Sequence, residues 1–173
     1  PAKKRLTEIN QRLATLYTTF SQNVLADEEG YALVLDKEAD LAGLPDSVKS
    51  GAAAAAEARG QKGKWAITNT RSSMEPFLTY STRDDLREKV WKSYVNRGDN
   101  NDARDNKKII TEVLKLRAER AKLLGYATHA HWRLENAMAK TPERAMALME
   151  EVWTPAVARV REEVADMQAL ANK

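Results

Sequence analysis

The sequence predicts a mostly α protein, a multi-helix, bundle-like unit carrying a small two-stranded β ribbon. Three observations point there. Apolar residues recur at alternating steps of three and four near both ends of the chain, the spacing that lines one face of a helix. Only two short apolar runs, residues 31–35 and 65–69, have the length and the glycine or polar boundaries of strands. From residue 82 onward the pattern is helical apart from polar breaks.

Residues 3–28 read as one helix whose seam is Leu6, Ile9, Leu13, Leu16, Phe20 and Val24. The repeat is too short for a coiled-coil dimer and favours packing on a neighbouring helix. Gly30 ends it. Residues 31–35 form the first strand and 41–45 a turn. Residues 46–59 form an alanine-rich helix with Asp46 as N-cap after Pro45, and its run of alanines, 52–56, allows a close approach to a neighbour. Gly60 and Gly63 lead into the second strand, 65–69. Two strands cannot stand without helices packed on them.

The stretch 63–99 holds the densest turn signals and aromatic anchors. Its strand breaks over 69–73, where Ser72 and Glu75 have capping-box spacing and Pro76 falls in the first turn of a short helix. A longer helix over 82–96 starts near Thr82 and turns Leu86, Val90, Trp91 and Tyr94 inward. After a polar loop, 97–105, residues 106–124 are helical, with Ile110, Val113, Leu114 and Ala121 inward and Gly125 as terminator. A shorter helix takes 128–137. Thr141, Pro142 and Glu143 supply an N-cap, a proline at the first position and an acid in the first turn. Met146, Met149, Trp153, Val157, Val160, Val164 and Met167 then form one stripe, with Pro155 expected to kink the helix. No repeat or linker interrupts the chain, so residues 1–173 read as a single helical unit.

A chain of 173 residues is one domain or a piece of a larger one. No apolar run approaches the ~20 residues that a membrane helix needs, so no membrane partner is expected. The lack of cysteine excludes disulfides, thiolate zinc sites and a thiol nucleophile. It fits a reducing compartment, hence a cytoplasmic location, with the periplasm left open. The net charge of +3 is spread over interleaved signs, as in Arg83-Asp84-Asp85, which argues against a nucleic-acid partner. The chain begins at Pro1 without methionine and stops at Lys173 inside a helical pattern, which reads as an excised fragment whose targeting segment would lie upstream.

Few residues suggest chemistry. His129 and His131 are two apart, which sets their rings about 200° apart on a helix, and no glutamate lies between them. The zinc-peptidase arrangement needs histidines four apart on one face with glutamate as base. One histidine is expected against Trp132 and the other near solvent. The Asp99–Asp105 loop lacks the glycine and glutamate of a calcium loop and reads as a turn held by Asx side chains. Arg97-Gly98-Asp99 matches an adhesion tripeptide by chance. Residues 60–64 lack the glycine and hydroxyl positions of a phosphate loop. Arg71, Ser72, Ser73 and Tyr80, where a strand gives way to a helix, are the remaining candidates for a substrate-binding surface. There Arg71 could pair with a peptide carboxylate, or these residues could simply cap the helix.

A set of segments in fixed order carries a family resemblance. They are Phe20-Ser21-Gln22-Asn23-Val24-Leu25, Leu41-Ala42-Gly43-Leu44-Pro45, residues 65–80, Asp85-Leu86-Arg87, Leu116-Arg117-Ala118-Glu119 and Leu123-Leu124-Gly125-Tyr126. The chain resembles the thimet-oligopeptidase-like zinc metallopeptidases, the group of neurolysin and oligopeptidase A, and within it the bacterial peptidyl-dipeptidase branch. The resemblance implies a helical parent enzyme with a deep channel. Its zinc would be held by the two histidines of HExxH and a downstream glutamate, and it would hydrolyse short peptides, releasing carboxyl-terminal dipeptides.

None of those metal or base residues has a counterpart in this sequence. The resemblance therefore implies a scaffold and channel wall from the amino-terminal, non-catalytic region, with no catalytic residue, metal ligand or cofactor, inactive by itself. Its partners would be the remaining catalytic part of the parent and, through it, short peptides. Surface meant for that part should make the isolated chain self-associate. The alternative is a stand-alone helical protein-interaction module presenting its first and last helices.

Overall fold

The structure, a computed structural model, describes residues 2–173. Seven α-helices and one pair of strands make up the described residues: α1 (Ala2–Gly30), β1 (Ala32–Leu35), α2 (Asp46–Glu57), β2 (Trp65–Thr68), α3 (Arg71–Tyr80), α4 (Asp84–Val95), α5 (Lys107–Leu123), α6 (His129–Leu134) and α7 (Pro142–Ala171). A 3-10 turn, Glu38–Leu41, precedes α2. The mostly α class with a two-stranded ribbon is therefore what the chain adopts. Its contacts fall into two compact units, Asn10–Val113 and the remainder, so α1 and α5 each run through both.

Within Asn10–Val113 the strands pair antiparallel, Ala32 opposite Thr68 and Leu35 opposite Trp65. Leu35, Leu41, Leu44, Ala52, Ile67, Met74, Phe77, Leu86 and Val90 form one core. Phe77 and Val90 are completely or almost completely shielded. Small side chains at Ala52 and Ala56, both buried, let α2 lie close, as the alanine run suggests. Leu13 and Leu16 on α1 are buried, and Arg12 forms a two-pronged ion pair with Glu112 on α5, at 2.6 and 2.8 Å. That pair holds the Glu112 carboxyl below its ordinary range.

In the remainder, Arg5 and Glu119 repeat the two-pronged pairing at 2.6 and 2.8 Å. Thr141 caps α7 by accepting from the Arg144 amide, with Pro142 first in the helix, as the sequence predicts. The helix continues through Pro155, and none of its residues is buried. Trp153, Val160, Val164 and Met167 are all more than half exposed.

Several local expectations are corrected. Asp46 is the first residue of α2 and Pro45 occupies the cap, so the carboxylate acts on the helix dipole and does not cap it. α3 starts at Arg71, one residue before the expected cap Ser72, and Thr70 takes the cap position without a side-chain bond. Glu75 pairs with Arg71 at 3.0 Å, so no capping box forms, and Pro76 lies in the second turn. α4 begins at Asp84, after the Ser81 hydroxyl accepts from the Arg83 amide. Trp91 is half exposed, although Leu86 and Val90 face inward as expected. On α5, Val113 and Leu116 are buried while Ile110 and Leu114 are exposed. Neighbouring helical residues differ by about 100°, so the face holding Val113 and Leu116 excludes Ile110 and Leu114.

Candidate functional site

The junction between β2 and α3 is where sequence reasoning looks for a ligand. It forms a cavity of about 410 Å³ between α2 and the start of α3. One wall is Gly51, Ala52 and Ala55, whose small side chains leave the space open. The other carries hydroxyls. Thr70 Oγ1 lies 3.1 Å from Thr68 Oγ1 and 3.2 Å from Ser72 Oγ, and Ser73 Oγ accepts from the Thr68 amide at 2.9 Å. No titratable side chain lines this space. It offers hydrogen bonds and shape, and no group that could move a proton.

The two named candidates are not brought together there. Arg71 and Tyr80 begin and end α3, roughly 13 Å apart along its axis. The Arg71 guanidinium is largely exposed and bonded to Glu75, which raises its already high pKa. Tyr80 is half exposed at the other end. Its carbonyl faces the turn before α2, where a Cβ added at Gly43 would lie 2.2 Å away. Ser72 and Ser73 do belong to the hydroxyl wall.

The histidines lie in α6. His129 packs against Trp132 with the rings tilted by 55° and their centroids 5.6 Å apart, and its Nδ1 is buried without a hydrogen-bond partner among the described residues. Burial lowers its pKa, and the charges of Arg117, Arg120 and Arg133 lower it further. His131 uses Nδ1 for the Thr128 hydroxyl at 2.8 Å, and its Nε2 is 3.7 Å from Glu143. Among the described residues no three His, Cys, Asp or Glu side chains converge as metal ligands would. The positive charge of those arginines disfavours a cation at His129, and His131 turns to Thr128 and Glu143, so the two rings do not fit zinc.

Sequence reasoning missed the buried polar residues. Asp27, Asn69 and Asn106 are each under one-tenth exposed, and all three bind backbone. Asp27 and Asn106 continue the buried face of α1 and the start of α5 in polar form, which apolar periodicity cannot register. The one signal was position: Asn69 closes a strand-like run and Asn106 opens a helix.

A profile described as peptidase family M3 matches residues 77–173. Dipeptidyl carboxypeptidase of Escherichia coli is 35% identical over 171 residues, covering 99% of this chain and 25% of that protein. Oligopeptidase A of Haemophilus influenzae is 34% identical over 175 residues, covering 99% and 26%. A probable cytosolic oligopeptidase A of Arabidopsis thaliana is 33% identical over 180 residues, covering 98% and 25%. The chain thus spans about a quarter of the length of these curated relatives.

Proposed function

This chain belongs to peptidase family M3, and from that premise we propose that it is the scaffold, and part of the channel wall, of a zinc-dependent peptidyl-dipeptidase that hydrolyses short peptides. In this reading residues 1–173 are an amino-terminal, non-catalytic region. The zinc and the general base belong to the remaining part of the parent protein, because HExxH does not occur in this sequence. In this proposal the parent is cytoplasmic, as the name of the cytosolic Arabidopsis thaliana relative suggests, with the periplasm left open. No helix of the described residues is long and apolar enough to cross a membrane.

The observation that carries the scaffold reading is α7. Thirty residues long, it leaves Met146, Met149, Trp153, Val160, Val164 and Met167 in water. A contiguous apolar stripe of this kind marks a surface that another body covers. The catalytic remainder is that body in this proposal, and the isolated chain self-associates through the same face. A stand-alone interaction module would use the stripe too, for a foreign partner.

The test is complementation. The chain is co-expressed with the part of the Escherichia coli dipeptidyl carboxypeptidase that lies outside the matched quarter. The proposal expects a complex that releases dipeptides from a blocked tetrapeptide when neither piece does so alone. Absence of a complex, with both pieces folded, would overturn it.

A further inference from the structure

Basic side chains gather around one indole in the unit that holds the second half of α5 together with α6 and α7. Arg117 and Arg120 stand three residues apart on α5, and His129 and Arg133 four apart on α6, so each pair shares a face of its helix. Trp132 is their common contact. The Arg120 guanidinium carbon lies 4.5 Å from the Trp132 ring centre, and that of Arg133 lies at 5.6 Å. The His129 ring centre is also 5.6 Å away.

The neighbouring acids face elsewhere. Glu119 pairs with Arg5 at 2.6 and 2.8 Å, and Glu135 takes the Tyr126 hydroxyl at 2.6 Å. Glu143 lies 3.7 Å from Nε2 of His131. The charges that act on the His129 ring are those of Arg117, Arg120 and Arg133, and no carboxylate is among them. The potential at this ring is therefore positive. Arg117 and Arg120 have other interactions within the chain as well. Arg133 is exposed and forms no ion pair among the described residues.

Cations held this close repel, and an anion that enters among them relieves the repulsion. The geometry says which anion. A guanidinium presents its N–H donors as a planar fork that matches two oxygens of an oxyanion. Trp132 holds the Arg120 head by its ring face, so that head is already ordered when a ligand arrives. Several forks can share the oxygens of a phosphate group, which also carries close to two negative charges. Chloride has no oxygens to share, and a carboxylate has only two.

We propose that Arg117, Arg120 and Arg133 bind a phosphate group beside the Trp132 indole, as inorganic phosphate or on a small phosphomonoester. Arg133 closes on it from the exposed side, and Arg120 meets it from its place against the indole. The His129 ring makes no bond to it and reports its charge. This site uses only these side chains and does not depend on the peptidase reading.

The experiment is an NMR titration of the full, isotope-labelled chain at matched ionic strength. The ligands are sodium phosphate, glycerol 3-phosphate, acetyl-Glu-Glu-amide and sodium chloride. Saturable shifts of the Trp132 indole N–H and the His129 ring signals are expected with phosphate and not with chloride. Arg133→Gln should weaken phosphate binding about tenfold, since it removes a charged fork. Arg133→Lys, which keeps the charge and loses the fork, should fall between the two. Arg159→Gln, well along α7, should bind as the parent does. Saturation by glycerol 3-phosphate as well would identify a phosphomonoester as an occupant, and saturation by phosphate alone would identify the free ion. The proposal is overturned if phosphate does not saturate, if chloride gives the same shifts, or if Arg133→Gln and Arg133→Lys both bind unchanged. It is also overturned if the glutamate peptide alone saturates, which would assign the cluster to an acidic segment of a protein.

Discussion

The Asp27 carboxylate, near the carboxyl end of α1, accepts the Gly98 amide at 2.8 Å. The same carboxylate takes Asn100 Nδ2 at 2.9 Å and Arg104 Nε at 2.7 Å, so one buried side chain orders the loop after α4. Replacing it with alanine leaves a buried amide unpaired and frees the Arg104 head. Asp27→Ala should lower the unfolding free energy by about 2–3 kcal/mol, and Asp27→Asn by less, because it keeps one oxygen. Urea unfolding checks both.

Gly43 sits at φ +85° with the Tyr80 carbonyl where a side chain would go. The Thr82 amide donates to the Ala42 carbonyl at 3.1 Å across the same approach. Gly43→Ala should cost roughly 2 kcal/mol or more, from the φ strain and the backbone clash together. Gly51, in the middle of α2, meets nothing within 4 Å of an added Cβ. Gly51→Ala should therefore stabilise by about 0.5–1 kcal/mol through helix propensity. Opposite signs in the two thermal midpoints are the expected result.

His129 gives the fold a pH dependence. Its folded pKa lies below the ordinary 6.5 because burial and then Arg117, Arg120 and Arg133 disfavour its charge. Below pH 6.5 the unfolded chain takes up the proton first. This contribution to stability is complete above that pH and is lost as pH falls towards the folded value. The midpoint drop between pH 7.5 and 5.5 should shrink in His129→Gln, measured by thermal unfolding in matched buffers.

The α7 stripe should be sticky. Trp153 is 69% exposed at its centre. Light scattering should show the isolated chain self-associating as concentration rises. Trp153→Glu should reduce that association while leaving the unfolding free energy from urea denaturation within about 0.5 kcal/mol of the parent, since an exposed side chain contributes little to the fold. A monomer at high concentration would count against the covered-face reading.

Much of this architecture is legible in the sequence. Helix starts at Thr141 and the terminator Gly125 depend on local chemistry, and the structure keeps both, with Gly125 at φ +83°. The Leu13–Leu16 and Leu86–Val90 pairs are buried because their spacing leaves a helix no other face. What escapes is set by tertiary contacts. Trp91 reads as core by its size, yet the inward face of α4 is already filled by Leu86 and Val90. Ser72 has cap spacing, but Arg71 is already helical, so the cap moved to Thr70. Of the site, Ser72 and Ser73 were visible as a junction, whereas the buried Asn69 beside it was not, because its amide is tied down only once the fold brings the carbonyls of Asp27 and Ser93 to it.

The most direct measurement is zinc bound per purified chain after loading and desalting, made on the same sample as an assay for dipeptide release from a blocked tetrapeptide. A chain that is scaffold alone retains no stoichiometric zinc and releases no dipeptide. Stoichiometric zinc together with release would place the catalytic machinery in these residues and contradict the account.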